Sequence, residues 1–182
     1  MKLRFAAAAL CALALPSALA AQDVKITIDQ TLVENFDGDA LTQALAPFEV
    51  KPTTQKGPDG TTIYNIAFPG GLNAVATPAG CSDDKTHTGC TALKLQAVFA
   101  LPAGKTVADM AELANRFNAT HDATPVVYDP KGQTRLTRYV VSQFGITRTN
   151  LAIEVYTFRR AAQMWSETLF GKPAAAAAKP AG

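Results

Sequence analysis

Hydrophobic and polar positions alternate most regularly after Cys90. There Leu93, Leu95, Ala97, Phe99 and Leu101 fall on one side of an extended chain, and Lys94 and Gln96 on the other. A period of two is what a strand with one dry face requires, and Pro102-Ala103-Gly104 ends the run. Val24, Ile26 and Ile28 alternate with Lys25, Thr27 and Asp29 and predict a short half-buried strand. Phe48 to Gln55 and Thr61 to Phe68 flank the turn Gly57-Pro58-Asp59-Gly60 and predict a hairpin with Tyr64, Ile66 and Phe68 on one face. Gly70-Gly71 then leads into a weaker strand, Leu72 to Thr77. Pro125 to Tyr128 and Arg135 to Phe144 predict a second hairpin around Asp129-Pro130-Lys131-Gly132. Its second strand alternates too poorly to fix which side faces inward.

Other segments step by three and four. Leu41, Ala44 and Leu45 predict a helix within Asp37 to Ala46 that ends before Pro47. Thr106 and Asp109 form a capping-box variant ahead of a stripe of Val107, Met110, Ala114 and Phe117. Leu151, Val155, Phe158, Ala162, Trp165 and Leu169 make a continuous apolar stripe over five turns. Thr149 or Asn150 is the expected cap of that last helix, Glu154 suits its first turn, and Gly171 and Pro173 stop it. No internal repeat is present. The pattern as a whole predicts an α+β domain, a mostly antiparallel sheet with helices packed on one face.

The two ends have a different composition. Lys2 and Arg4 precede an uncharged apolar run from Phe5 to Leu15, followed by Pro16-Ser17 and the small residues Ala18-Leu19-Ala20. This is the plan of a secretory signal over residues 1–20, cleaved after Ala20 or, one residue on, Ala21. The apolar run is well short of the ~20 residues that span a bilayer. Leu10 before Cys11 does not match a lipobox. The domain proper is then 21–172, and Ala/Pro/Lys-rich residues 173–182 form a tail of low complexity, expected to be disordered. Cleavage removes two basic residues and no acids, which leaves 15 of each sign. A neutral chain gives no electrostatic reason to expect nucleic acid as a partner, and no stable membrane insertion is expected after cleavage.

Export changes the reading of the cysteines. Cys81 and Cys90 flank a polar loop of eight residues, and an even number of cysteines in an exported chain predicts a disulfide closing the mouth of a hairpin. Closing so short a loop contributes roughly 2.5–3 kcal/mol on the chain-entropy model. A redox-active pair would ordinarily have two residues between its thiols.

Sites for chemistry are few. His87 shares the cysteine loop with Asp83 and Asp84, but the spacing is not that of a zinc site, and a solvated loop histidine is the expectation. His121, beside Asp122 at a helix end, is placed to meet the helix dipole. Asp37-Gly38-Asp39 lacks the further ligands of a calcium loop. Asn118-Ala119-Thr120 matches a glycosylation sequon near a helix end. Arg148, Arg159 and Arg160 could form an anion site, although a solvated helix face is the simpler expectation. Tyr156, Phe158 and Trp165 are read as core and its edge. No glycine-rich phosphate loop and no nucleophile elbow occurs. The sequence therefore predicts no catalytic residue, metal ligand or cofactor.

From about Gly80 to Leu169 the chain resembles the YbjN family, bacterial proteins described as sensory transduction regulators. Four stretches carry the likeness: Gly80-Cys81 with Cys90 to Ala97, Phe117-Asn118, Val127-Tyr128-Asp129 to Gly132, and Gly145-Ile146 with Asn150-Leu151 and the aromatic helix. Asp122-Ala123 stands where the family often has a basic-aromatic pair, and the export signal sets this chain apart from cytoplasmic members. The resemblance implies a fold similar to type III secretion chaperones and a regulatory role without catalysis.

The preferred reading is thus a periplasmic or secreted, non-enzymatic binding or regulatory protein of the cell envelope. Its expected partner is another envelope protein or peptide, taken on the wet sheet face or an edge strand. Two alternatives make structural demands. A small-ligand binder or enzyme built on Arg148, Arg159, His87 and Asp83 needs these side chains in one pocket. A structural subunit forming a homodimer through the aromatic last helix needs a mass that rises with concentration.

Overall fold

The computed structural model describes residues 24–36, 39–121, 123–130 and 132–171. The expected export signal with its cleavage site at Ala20 or Ala21, the expected tail 173–182, and Asp37, Gly38, Asp122 and Lys131 lie outside the described residues.

The strand with the clearest alternation, β5 (Ala92–Phe99), is central. Leu93, Leu95 and Ala97 are fully buried on one side, as a period-two pattern with one dry face demands. β5 pairs antiparallel with β4 (Asn73–Ala79) and, along its whole length, with β7 (Thr134–Val141). β2 (Thr53–Lys56) and β3 (Thr62–Ala67) form the first predicted hairpin, and β6 (Val126–Tyr128) pairs with β7 as the second. The six strands run in the order β2-β3-β4-β5-β7-β6, all antiparallel.

One face of this sheet carries the helices. α3 (Arg148–Phe170) lies on β5 and β7 and buries Leu151, Val155, Phe158, Ala162 and Trp165. Burial of Leu151, Val155 and Phe158 stabilises the fold by roughly 1.5–3 kcal/mol each through the area removed from water. The Trp165 indole N–H donates to the buried Thr134 hydroxyl at 2.9 Å, so its one polar atom is satisfied. α1 (Ala40–Leu45) packs on α3. α2 (Val107–Asn118) packs on β6 and sends Phe117 edge-on to Trp165 at 5.2 Å. The Thr106–Asp109 capping box is formed in both directions. The chain is α+β with helices on one side of an antiparallel sheet.

Several boundaries differ from expectation. Val24, Ile26 and Ile28 do not form a strand, and Ile28 is 77% exposed. Among the described residues no ladder partner lies beside them. The backbone at Asp29 and Thr31 instead accepts the amides of Thr149 and Arg148 at 3.2 and 3.0 Å. The first strand is β1 (Leu32–Val33), paired with β8 (Ile146–Thr147). The first helix ends at Leu45, before Pro47 as expected, but the chain continues into a 3-10 turn, Ala46–Phe48, with Pro47 at an early position where its missing N–H costs nothing. Phe48 therefore belongs to that turn and not to the hairpin. The cap of α3 is Thr147, whose hydroxyl accepts from Asn150 N at 3.2 Å, because the Thr149 hydroxyl is engaged by the Asp29 backbone. Glu154 thus falls in the second turn, where it pairs with Arg138 at 2.5 Å. β7 stops at Val141, and Phe144 turns outward at φ 71 and 95% exposure.

Candidate functional site

Cys81 and Cys90 are joined by a disulfide between the end of β4 and the start of β5, the hairpin mouth expected from sequence. Inside the loop, Asp83 bridges to Thr88 and folds back on its own turn. Bonds from the Thr86 side chain, then from the Lys85 and Thr86 amides, hold the Asp83 carboxyl below its ordinary value. A Cβ on Gly89 would lie 2.2 Å from the Ser82 hydroxyl, at a φ of +63, so this position requires glycine.

His87 is not the solvated loop residue expected. It adopts φ 53, is half-buried, and places Nε2 2.9 Å from the Asp59 carbonyl in the β2–β3 turn, with Thr61 alongside. A carbonyl can only accept, so Nε2 carries the proton and donates. The histidine ties the disulfide loop to the neighbouring hairpin. Asp84 is exposed in the same loop. Asp39 precedes α1 without a side-chain capping bond.

The aromatic–Asn pair has a structural purpose. Phe117 is core, and the Asn118 amide both donates to Val126 O (2.9 Å) and accepts from Val126 N (2.7 Å), replacing a strand neighbour for β6. With its amide so engaged, Asn118 is not displayed as a glycosylation acceptor. His121 stacks on Phe117 (4.1 Å, 12°) and caps the α2 end by bonding the Phe117 carbonyl through Nδ1 at 3.0 Å.

The three arginines do not form an anion site. Arg148 pairs with Asp29 at 3.4 Å at the start of α3. Arg160 is exposed. Arg159 is not on a solvated face: it is 3% exposed, with its guanidinium 5.8 and 5.7 Å from the rings of Phe48 and Phe68 and no partner at Nε. Burial lowers its pKa from the ordinary value. The signal for this was present, since residue 159 is four beyond Val155 and three before Ala162 and so flanks the apolar stripe. The pocket needed for an enzyme built on Arg148, Arg159, His87 and Asp83 is thus not assembled. A groove of about 390 Å³ between the end of α2 and α3 is lined by His121, Tyr156 and Arg160 and by none of those four. Phe158 and Trp165 are fully buried within the fold, so a dimer through α3 would have to use its outer residues Ile153, Tyr156 and Phe170. Among the described residues no three His, Cys, Asp or Glu side chains are grouped to hold a metal, and no helix is long and apolar enough to cross a membrane.

What remains is the sheet face opposite the helices. Register places Thr53, Asn65, Val75, Gln96 and Thr137 in one row across five strands, with Lys94 beside Tyr139, Ala92 beside Val141, and Arg135 between Val98 and Val127. Gln96 and Thr137 bond across the face at 3.1 Å. Val98, Val127, Tyr139 and Val141 are 50, 60, 62 and 58% exposed. A groove of about 410 Å³ on this face is lined by Lys51, Asn65, Asn73, Gln96, Val75 and Val98. The wet face of β5 was expected from Lys94 and Gln96. The contribution of Arg135, Tyr139 and Val141 was missed, although these residues do alternate within the β7 segment.

Fold and site together define a one-sided α+β sheet protein whose described residues leave one sheet face open. A family model matches residues 37–171, that of YbjN, described as "Putative bacterial sensory transduction regulator". The chain belongs to the YbjN family. Among solved structures it is similar to an uncharacterized protein from Methanothermobacter thermautotrophicus, with a TM-score of 0.52 and 12% identity, over 70% of this chain and 94% of that one. That likeness is one of fold. No curated protein matches the chain.

Proposed function

We propose that this protein is an exported, non-enzymatic regulator of the cell envelope that acts by binding another protein on the uncovered face of its sheet. The observation that carries this is the exposure of Val98, Val127, Tyr139 and Val141 on one continuous surface, while the opposite face is filled by helices. Aliphatic and aromatic side chains on an open sheet are the kind of patch that marks a docking site. The family's description as regulators supports the same role. Export is supported by the basic, apolar and small-residue order of residues 1–20 and by a disulfide, which persists in an oxidising compartment.

The test has two parts. The full chain is expressed in a bacterial host, and its intact mass is measured in the periplasmic fraction. Processing after Ala20 or Ala21 is expected, and an unprocessed cytoplasmic chain would refute export. A photo-crosslinking residue is then placed at Val98 or Tyr139 and, as control, at Glu112 on the outer side of α2. Discrete adducts at the sheet positions and none at Glu112 are expected. Equal labelling at all three would remove the sheet face as the binding surface.

A further inference from the structure

Resting on that reading of the open face, we infer that its occupant is an extended, acidic segment of a partner protein. The chain as a whole is nearly balanced, with 17 basic and 15 acidic residues, yet the strand positions of the open face carry one sign only. The open-face positions of β2 to β7 include Lys94 and Arg135 and not one Asp or Glu. Lys51 adds a third cation at the groove beside β2. The described carboxylates lie in turns and helices instead, as with Asp59, Asp83, Asp109 and Glu112, and Asp129 stands only at the rim near Arg135. Among the described residues the ion pairs use Arg116, Arg138 and Arg148, and not Lys51, Lys94 or Arg135.

Between these cations the groove offers Asn65, Asn73 and Gln96 over a floor of Val75 and Val98. A primary amide both donates and accepts, so it can match the backbone N–H and C=O groups that an extended peptide leaves unpaired. Alternate side chains of such a peptide point the same way at a strand's spacing. Apolar ones would rest on the valines while acidic ones reach Lys51, Lys94 or Arg135.

Charge argues against other occupants. A second copy laid face to face would oppose Lys94 and Arg135 to their own equivalents. Residues 172–182 contribute Lys172 and Lys179 and no acid. Three separated cations on an otherwise apolar and amide surface are too few for the phosphate neutralisation that holds a nucleic acid, and they lack the clustering of an anionic-lipid site.

The experiment uses protein purified from a host expressing the full chain. Its probes are dye-labelled peptides of about ten residues alternating Glu with Val or Leu, a Lys-for-Glu counterpart, oligo-dT, and phosphatidylglycerol vesicles, followed by fluorescence anisotropy or co-sedimentation. The acidic peptide is expected to bind about tenfold or more tighter than the basic one at low salt, and to weaken as the screening length shrinks. Lys94→Glu and Arg135→Glu should each cost about fivefold, the value of one exposed ion pair, while Arg116→Glu on α2 changes little. Thermal unfolding confirms that the variants are folded. Equal binding of the basic peptide, indifference to Lys94→Glu and Arg135→Glu, or tighter binding of oligo-dT or vesicles than of the acidic peptide would overturn the inference. Sheet-face crosslinks without acidic-peptide binding would defeat the inference alone; the absence of both would defeat the surface reading as well.

Discussion

Replacing Arg159 by methionine removes a charge that forms no ion pair among the described residues. The side chain is 3% exposed, Nε has no partner, and its neighbours are the Phe48 and Phe68 rings. Burying an ion costs several kcal/mol even after relaxation, and one unsatisfied buried donor costs about 1–3 kcal/mol of that. The return is a cation–π contact with each ring. At 5.8 and 5.7 Å both lie near the ~6 Å limit of the interaction, so each is worth about 0.5–1 kcal/mol and not the ~2 of an ideal desolvated pair. The aliphatic stem also packs, but methionine keeps an unbranched stem of its own. The charge is therefore a net cost, and Arg159→Met should raise the unfolding free energy by about 1–3 kcal/mol. Arg159→Ala forfeits the stem and leaves a cavity worth about 2–4 kcal/mol, so it should fall to wild type or below. Arg159→Lys keeps a charge that is more strongly hydrated and loses the planar stack, and should destabilise. Urea titration with an unchanged slope measures all three. A methionine variant less stable than wild type by about 1 kcal/mol or more would refute the reasoning, because the guanidinium would then be net stabilising.

Two further predictions concern the core and the surface turns. Thr134→Val strands the Trp165 N–H in the interior and should cost about 1–3 kcal/mol; in a cycle with Trp165→Phe, additive losses would show that the bond contributes nothing. Asp59 and Asp109 each accept bonds from a nearby threonine, Thr61 and Thr106, which hold their carboxyls below the ordinary 3.8. A folded pKa below the unfolded one means stability that is present above the ordinary value and lost as pH falls through the folded one. The urea midpoint should thus drop on acidification below about pH 4, and the drop should be shallower in Asp109→Asn; an identical acid limb in that variant would rule out the capping box as a contributor.

The sequence disclosed those parts whose cause is local. A two-residue period and a hairpin turn were enough for β2, β3, β5 and the β6–β7 pair, and a stripe over five turns was enough for α3. What it did not disclose depends on distant partners. The alternation at Val24, Ile26 and Ile28 has no ladder to join among the described residues, while Leu32–Val33 does, against Ile146–Thr147 from the far end of the chain. Thr149 looks like a cap until its hydroxyl is seen to be engaged 120 residues away at Asp29. The open face was half readable: Lys94 and Gln96 announce a wet side, but only the register Lys94↔Tyr139 and Ala92↔Val141 brings the apolar residues of β7 onto it.

The restraints gathered at one end of the sheet bear on how such a face could bind. The disulfide joins the β4–β5 mouth, and His87 reaches from that loop to the Asp59 carbonyl in the β2–β3 turn, so four consecutive strands are fastened together there. Arg138 fixes the other side, holding Glu154 on α3 together with the Ala123 carbonyl and the Thr124 hydroxyl ahead of β6. A platform fixed in this way loses little freedom when a partner settles on it, and the ordering cost of association falls on the partner's extended segment. Tightness would then be set by that segment's flexibility and charge. A change in the partner that stiffens it or adds carboxylates would strengthen the contact with no rearrangement of this protein.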